Sequence, residues 1–210
     1  MQDGLRKDGG ERESHHQQAK VDRSVVGHQT DGVTAQGTHQ LLRDTGAALS
    51  PDSAFSIIQG IETLSLRIER HVQNTQEIAE WLENHPDVAS VNYSGLPSSP
   101  WYAAANKYAP KGVGAVVSFE LKGGVDAGRA LVENVELFSH LANIGDVRSL
   151  IIHPASTTHS QLSPEQQLTA GVTPGLVRLS VGIENVADLK ADLEAGFAAA
   201  RTIAAANAAK

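Results

Sequence analysis

The sequence predicts an α+β domain, a small open sheet with helices on one face. The first observation is that segments with apolar residues at every second position alternate with segments of helical period. The second is the stretch "GLVRLSVGIEN" (175–185), which reads as a strand because every second residue is apolar. Its buried face would hold Val177, Leu179, Val181 and Ile183. Arg178 and Ser180 would then point to the opposite face of the sheet.

The first predicted element is a long amphipathic helix within residues 41–85. Ser50 and Pro51 form a helix start, and a bend is expected near Gly60. The face predicted to be buried holds Ile61, Leu64, Ile68, Val72, Thr75, Ile78 and Leu82. Next come a short strand in "VASVNY" (88–93), a short helix in "WYAAANKY" (101–108) and a strand in "GAVVSFELKGG" (114–124).

The second half of the chain continues the alternation. A helix is expected at about 125–136, a strand in "RSLIIHP" (148–154) and a short helix in "SPEQQLTA" (163–170). After the Arg178 strand, Asn185 is expected to cap a last helix that turns Leu189, Leu193, Phe197 and Ala200 inward. Residues 86–210 are therefore predicted to form one α+β domain, preceded by an interdomain helix region at 41–85.

Composition excludes several classes of function. The formal net charge is -7 and no run of Lys or Arg occurs, which argues against a nucleic-acid surface. Cysteine is absent, so disulfides and thiolate metal sites are excluded. Neither a signal peptide nor an apolar run long enough to cross a bilayer is present, which favours a cytoplasmic protein without a membrane partner.

Residues 1–40 differ from the rest of the chain. They are poor in apolar residues and follow neither period, so we expect a disordered tail. The tail contains His15, His16, His28 and His39, whose spacing matches no metal-ligand motif, so no metal site is predicted.

Arg178 is the first candidate for chemistry. An arginine on the uncovered face of a sheet can bind a carboxylate through two parallel hydrogen bonds. The alternative is a structural ion pair with Glu184 or Glu120, and the pattern alone favours that alternative.

A second dense segment is "IGDVRSLIIHPASTTHS" (144–160). It contains Asp146, Ser149, His153 and several hydroxyls, but no nucleophile elbow, so a Ser-His-Asp site is disfavoured. His153 precedes Pro154 and is expected to end its strand and shape a turn. No glycine-rich phosphate loop joins a strand to a helix.

Four segments together resemble a known family. They are "LRDTGAALSPDSAFSIIQGIETLSLRIERH", "GAVVSFELKGG", "LFSHLANIGDVRSLIIHPASTTH" and "GLVRLSVGIEN". From about Leu41 to about Ala200 the chain is similar to the C-terminal part of the pyridoxal-phosphate-dependent Cys/Met-metabolism family, and within it most similar to the O-acetylhomoserine sulfhydrylases. The resemblance implies the small domain of a type I aminotransferase-like fold, homotetramers, and an amino-acid substrate of the O-acetylhomoserine class.

The resemblance also implies roles for two residues. In the family the arginine of the "VRLSVG" motif holds the substrate α-carboxylate, which here would be Arg178, and this reverses the preference for an ion pair. The serine of the "SLIIHP" motif, here Ser149, would lie at the same pocket. The implied reaction is γ-replacement, in which sulfide or a thiol replaces the acetoxy group of the amino acid.

The family's cofactor-binding groups have no counterpart in this sequence. The family needs a lysine bonded to pyridoxal phosphate, an aspartate at the pyridine nitrogen and a phosphate-binding loop. None of the seven lysines has the family's Ser/Thr-rich setting: Lys7, Lys20, Lys107, Lys111, Lys122, Lys190 and Lys210. No catalytic or cofactor-binding residue is therefore predicted, and cofactor binding by this chain alone is doubtful. A truncated or frame-shifted gene is the expected account of residues 1–40, and the chain alone is expected to be inactive.

Two alternatives to a sulfhydrylase fragment stay open. Cystathionine γ-synthase, cystathionine γ-lyase and methionine γ-lyase share the arginine motif. A non-catalytic module, for assembly or for amino-acid binding through Arg178, is the alternative from a different class.

Overall fold

The computed structural model describes Gly46, residues 49–143 and residues 145–209. The predicted tail at 1–40, with its four histidines, lies outside the described residues. The chain divides into the units Met1–Phe55 and Ser56–Lys210, and the sheet described below, with the helices that pack on it, belongs to the second unit. Within the described ranges, no helix combines the length and apolarity needed to span a membrane.

Helices and strands alternate in the order that the sequence predicts. The helices are α1 Pro51–Glu62, α2 Leu64–Glu83, α3 Tyr102–Tyr108, α4 Gly124–Glu133, α5 Pro164–Thr169 and α6 Val186–Ala208. The strands are β1 Val88–Asn92, β2 Val116–Leu121, β3 Ser139–His140, β4 Leu150–Ile152 and β5 Leu176–Ser180. The two-residue strand β3 and a 3-10 helix at Pro154–Ser156 are additions to the predicted order.

The five strands form one mixed sheet in the order β1-β2-β5-β4-β3. Only β3 and β4 pair in parallel, and the other neighbours are antiparallel. In the central pair, Ser118 lies opposite Arg178 and Phe119 lies opposite Val177. Because side chains alternate along a strand, Phe119 and Val177 share one face of the sheet and Ser118 and Arg178 share the other.

Helices cover the Val177 face, as the α+β prediction requires. The core between helices and sheet contains residues of β2, β5, α2, α4 and α6, and its largest fully buried side chains include Phe119, Leu179, Ile78, Leu131, Leu193 and Phe197. Phe197 packs against Phe119 at a ring-centroid distance of 5.8 Å and stacks on His85 at 4.0 Å. The predicted inward face of α6 is confirmed, and Asn185 caps that helix by accepting a hydrogen bond from the Ala187 N–H at 2.9 Å.

The predicted buried face of the long helix is only half correct. The helix is interrupted at Thr63, and Thr75, Ile78 and Leu82 of α2 are buried. By contrast, Ile61 and Ile68 are 61% and 50% exposed. Helical period indicates one apolar face, but burial also requires a neighbouring element, and the buried residues of α2 begin only at His71.

The prediction for Ile183 is also wrong. The strand β5 ends at Ser180, and Ile183 is 36% exposed instead of buried. The alternation stops because the chain turns toward the segment before β4, where the Ile183 N–H donates to the Val147 carbonyl at 3.0 Å. Gly182 allows this close approach, since a Cβ at that position would lie 2.5 Å from the Val147 oxygen.

Candidate functional site

Arg178 lies at the centre of the face that helices leave uncovered. On this face the neighbouring strands contribute Ser118, which lies opposite Arg178 on β2, and Ile152, which lies opposite Arg178 on β4. The next residue of β2 on the same face is Glu120, opposite Leu176. The face is therefore far more polar than the one that packs against the helices.

A cavity of about 620 Å³ opens on this face beside Arg178. Strand residues, among them Asn92 and Ser118, form its floor, and the segment from Pro154 to Val172 forms a wall that includes Thr158 and His159. The wall is held in shape by Gln167, whose side-chain amide donates to the carbonyls of Ala155 at 3.1 Å and His159 at 2.8 Å. The cavity size suits a small molecule.

The guanidinium of Arg178 is only partly engaged. Its Nη2 donates to the Asn143 carbonyl at 2.8 Å. Its Nε is buried and has no hydrogen-bond partner. No described carboxylate forms an ion pair with it. A buried, unsatisfied donor on a cation costs free energy that a bound carboxylate would recover.

Both carboxylates considered as partners of Arg178 are bound elsewhere. Glu184 accepts hydrogen bonds from the backbone N–H and the hydroxyl of Ser149, at 2.7 and 2.9 Å. Glu120 accepts from the Thr173 hydroxyl and from the Gly175 N–H, the latter at 3.0 Å. The alternative of a structural ion pair between Arg178 and either glutamate is therefore wrong for the described residues.

Ser149 is fully buried, and its hydroxyl is occupied. The Ser149 Oγ donates to Glu184 and accepts from the Gly182 N–H at 2.8 Å. Ser149 is not part of the lining of the Arg178 cavity. The structure therefore does not bring the two predicted substrate-binding residues into one described pocket. In this chain Ser149 ties the segment after β5 to the start of β4.

His153 has a structural environment, and the aspartate considered as its partner pairs elsewhere. The ring is fully buried, with Nδ1 2.8 Å from the Ser156 hydroxyl and Nε2 2.8 Å from the Pro174 carbonyl. Burial lowers the pKa of His153, which favours the neutral ring. Asp146 pairs instead with Arg148 at 3.3 Å, so the disfavoured Ser-His-Asp site is absent from the described residues.

Tyr93 lines the cavity, but the sequence analysis did not predict it as a site residue. Its hydroxyl donates to the Gly114 carbonyl at 3.0 Å, and burial raises its pKa to about 12. Neither Tyr93 nor Thr158 belongs to a motif with a defined spacing, and the wall segment is irregular. Ser118 could have been found, because strand alternation in "GAVVSFELKGG" places it opposite the apolar face.

The geometry defines a class of protein. It is an α+β domain whose open sheet face presents, in a cavity of small-molecule size, an arginine with a buried and unsatisfied Nε.

Comparison with known proteins identifies the family. The sequence model described as "Cys/Met metabolism PLP-dependent enzyme" matches residues 18–198. The chain is 57% identical over 157 residues to O-acetyl-L-homoserine sulfhydrylase 1 of Thermus thermophilus, covering 75% of this chain and 37% of that relative. This chain belongs to the Cys/Met-metabolism family of PLP-dependent enzymes, where PLP is pyridoxal phosphate.

Two solved structures confirm the fold. One is a putative O-acetylhomoserine (thiol)-lyase of Campylobacter jejuni with N'-pyridoxyl-lysine-5'-monophosphate, at a TM-score of 0.66 and 44% identity, covering 76% of this chain and 39% of that one. The other is a cystathionine γ-synthase of Xanthomonas oryzae in complex with aminoacrylate and cysteine, at a TM-score of 0.67 and 40% identity, covering 82% and 44%. The chain spans less than half the length of each of these relatives.

The range matched by the family model begins closer to the N-terminus than the segments whose motifs resemble the family. It starts at residue 18, whereas the motif resemblance starts at about Leu41. Part of the segment interpreted as unrelated to the family therefore lies inside the matched range.

The described residues do not fit the cofactor that this family uses. A PLP site needs a lysine that can bond to the cofactor aldehyde. None of the four described lysines lines the Arg178 cavity. Lys122 donates to the Pro86 carbonyl at 2.6 Å, Lys190 pairs with Glu77 at 2.7 Å, and Lys107 lies over the Tyr108 ring. Among the described residues, the lining of the cavity thus contains Arg178 and no lysine.

Proposed function

We propose that this chain is the substrate-carboxylate-binding portion of an O-acetylhomoserine sulfhydrylase-type enzyme of methionine and cysteine biosynthesis. The full enzyme replaces the acetoxy group of O-acetylhomoserine with sulfide or a thiol. The single observation that carries the proposal is Arg178, a cation with a buried, unsatisfied Nε in a cavity on the uncovered sheet face. Identity to sulfhydrylases over three quarters of the chain supports the choice of substrate class.

The chain alone is proposed to be catalytically incomplete. Arg178 can bind and orient an amino acid by its α-carboxylate, but the described cavity supplies no lysine. We further propose that residues 86–210 form the substrate domain, that the 41–85 helix region links it to other parts of the enzyme, and that the enzyme is a cytoplasmic homotetramer. In the substrate pocket of that enzyme, Ser149 is proposed to act by holding Glu184 and Gly182 in place.

The test restores the missing groups. The chain is fused behind the preceding part of the Thermus thermophilus relative, and turnover of O-acetylhomoserine with sulfide is measured. Arg178→Lys should lower kcat/KM at least tenfold, about 1.4 kcal/mol of transition-state binding, because one ammonium cannot reproduce the two-pronged contact. Cofactor absorbance should be unchanged.

The matched control is Arg201→Lys. Arg201 lies on α6, pairs with Asp87 and Glu194, and is remote from the lining of the cavity. It should leave kcat/KM within about twofold, since its ion pairs are exposed. Near-normal efficiency of the Arg178 variant, or loss of its cofactor, would contradict the assignment of Arg178 to the substrate.

A related activity is the second candidate, and the likeness to a cystathionine γ-synthase favours it. The same fusion decides between them when cysteine replaces sulfide as the sulfur donor. Faster turnover with cysteine than with sulfide would favour a cystathionine γ-synthase. Methionine γ-lyase and cystathionine γ-lyase activities are checked by supplying methionine or cystathionine alone.

A non-catalytic amino-acid-binding module is the third candidate. Two observations favour it: Arg178 has an unsatisfied Nε, and the lining of the described cavity contains no lysine. Calorimetric titration of the chain with O-acetyl-L-homoserine, in the absence of cofactor, provides the test. Binding tighter than about 0.1 mM, roughly 5.5 kcal/mol, would favour this role, because it exceeds what one carboxylate contact supplies.

A further inference from the structure

Glu120 and Arg178 are oppositely charged neighbours that do not pair. They lie on the same face of adjacent antiparallel strands, with Ser118 opposite Arg178 and Leu176 opposite Glu120. Such diagonal neighbours are about 7–8 Å apart, within reach of long side chains, and opposite charges there ordinarily attract. Something must therefore hold the Glu120 carboxylate away from the guanidinium.

The turn before β5 holds this carboxylate. The Thr173 hydroxyl donates to Glu120 Oε2, and the Gly175 N–H donates to Oε1 at 3.0 Å. Gly175 is needed for this approach, since a Cβ there would lie 2.9 Å from Glu120 Oε1 and 2.2 Å from the Leu121 carbonyl oxygen. Both carboxylate oxygens are thus engaged by a single short segment.

The same turn is fixed from a second direction. The buried His153 ring contacts the Pro174 carbonyl at 2.8 Å, between the two residues that bind Glu120. The Leu121 N–H donates to the Gly175 carbonyl at 2.8 Å. Because these contacts hold the turn independently of Glu120, the turn is fixed in place. The Glu120 carboxylate therefore cannot approach Arg178 while it stays bonded to the turn.

Resting on the proposed function of Arg178, we infer that the Thr173–Gly175 turn is a positioning element that keeps Glu120 from neutralising Arg178. The structure contains the competitor of the substrate on the same sheet face, and the turn restrains it. If Thr173 releases Oε2, only the Gly175 N–H still holds the Glu120 carboxylate. The carboxylate can then rotate toward the guanidinium and occupy the place of the substrate carboxylate. Glu120 then becomes an internal inhibitor of carboxylate binding.

The experiment uses the full chain and the Nε–H signal of Arg178 in ¹⁵N NMR, assigned by its loss in Arg178→Lys. Thr173→Val should move this signal toward the position of an ion-paired arginine before any ligand is added. With O-acetyl-L-homoserine as the probe, Thr173→Val should raise the dissociation constant about fivefold, the effect of an ion pair worth about 1 kcal/mol.

Rescue separates competition from a general structural effect. In Thr173→Val/Glu120→Gln the competing charge is removed, so the dissociation constant should return to within twofold of that of the unaltered chain. Thr173→Ser retains the hydroxyl and should behave like the unaltered chain. Thr202→Val on α6 is the matched control, because its hydroxyl only donates to the Ala198 carbonyl at an exposed site.

Each outcome decides the inference. An unchanged Nε–H signal in Thr173→Val overturns it, as does weakened binding that Glu120→Gln does not rescue. If the probe never perturbs Arg178 in the unaltered chain, the proposed function fails. In that case the signal shift in Thr173→Val still tests whether the turn restrains Glu120.

Discussion

The two faces of the sheet are built from the same strands and serve different purposes. On the helix-covered face, Val177 and Leu179 of β5 are fully buried in the core. On the other face, one residue away along the strand, Leu176 and Arg178 line a cavity. Alternation along a single strand therefore separates the residues that stabilise the fold from those available to a ligand.

The difference also appears in how polar groups are satisfied. On the covered side, the buried His71 and Asn74 of α2 bond to the carbonyls of Val181 and Gly182. On the open side, Arg178 retains an unsatisfied Nε. Buried polar groups in a stable core are ordinarily paired, so this exception supports the carboxylate-binding role proposed for Arg178.

The largest expected effect compares one substitution on the two faces. Leu179→Ala should lower the free energy of unfolding by about 3 to 5 kcal/mol, because it leaves a cavity in a packed core. Leu176→Ala, three residues earlier on the same strand, should cost about 1 kcal/mol, because Leu176 is only partly buried. Urea unfolding measures both, and equal losses would show that the Arg178 face is also packed.

Sequence reasoning recovered the covered face better than the open one. The alternation in β5 and the helical period of α6 depend on burial against neighbours close in the fold, and Val177, Leu179 and Phe197 are buried as expected. Period alone failed for Ile61 and Ile183, because it indicates an apolar face without showing whether anything covers it.

The site was predictable only in part. Strand alternation predicts the sheet face on which Arg178 lies. The family resemblance is what favoured a substrate carboxylate, and not a glutamate of the chain, as its partner. The contacts that leave it unpaired could not be predicted, because Thr173 and Ser149 lie far along the chain from Glu120 and Glu184. Such pairings depend on tertiary structure, which no local spacing specifies.

The second prediction concerns Ser149, the buried residue that directly precedes β4. Ser149→Ala should lower the free energy of unfolding by about 1 to 3 kcal/mol, because it removes a donor to Glu184 and leaves the Gly182 N–H without its acceptor. Ser90→Ala, at an exposed position of β1, is the control and should change it by less than about 0.5 kcal/mol. A Ser149 variant of normal stability would show that its contacts with Glu184 and Gly182 do not stabilise the fold.

The third prediction concerns the pH dependence of stability that the buried His153 causes. Burial lowers the pKa of His153 below its ordinary value of 6.5, so the unfolded chain binds a proton that the folded chain does not. The stability that the neutral ring contributes is therefore intact above pH 6.5 and is lost as the pH falls toward the lowered pKa. His153→Gln should weaken this pH dependence in urea unfolding, and an identical dependence in both proteins would contradict the prediction.

The smallest expected effect is on the open face. Arg178→Lys should change the free energy of unfolding by less than about 0.5 kcal/mol, since the Arg178 side chain makes one hydrogen bond, to the Asn143 carbonyl, and no ion pair with a described carboxylate. The same substitution is expected to cost at least about 1.4 kcal/mol of transition-state binding in the restored enzyme. Thermal and urea unfolding of the chain measure the first quantity without any ligand. A loss of several kcal/mol would show that Arg178 stabilises the sheet. The conclusion that only the covered face stabilises the fold would then be wrong.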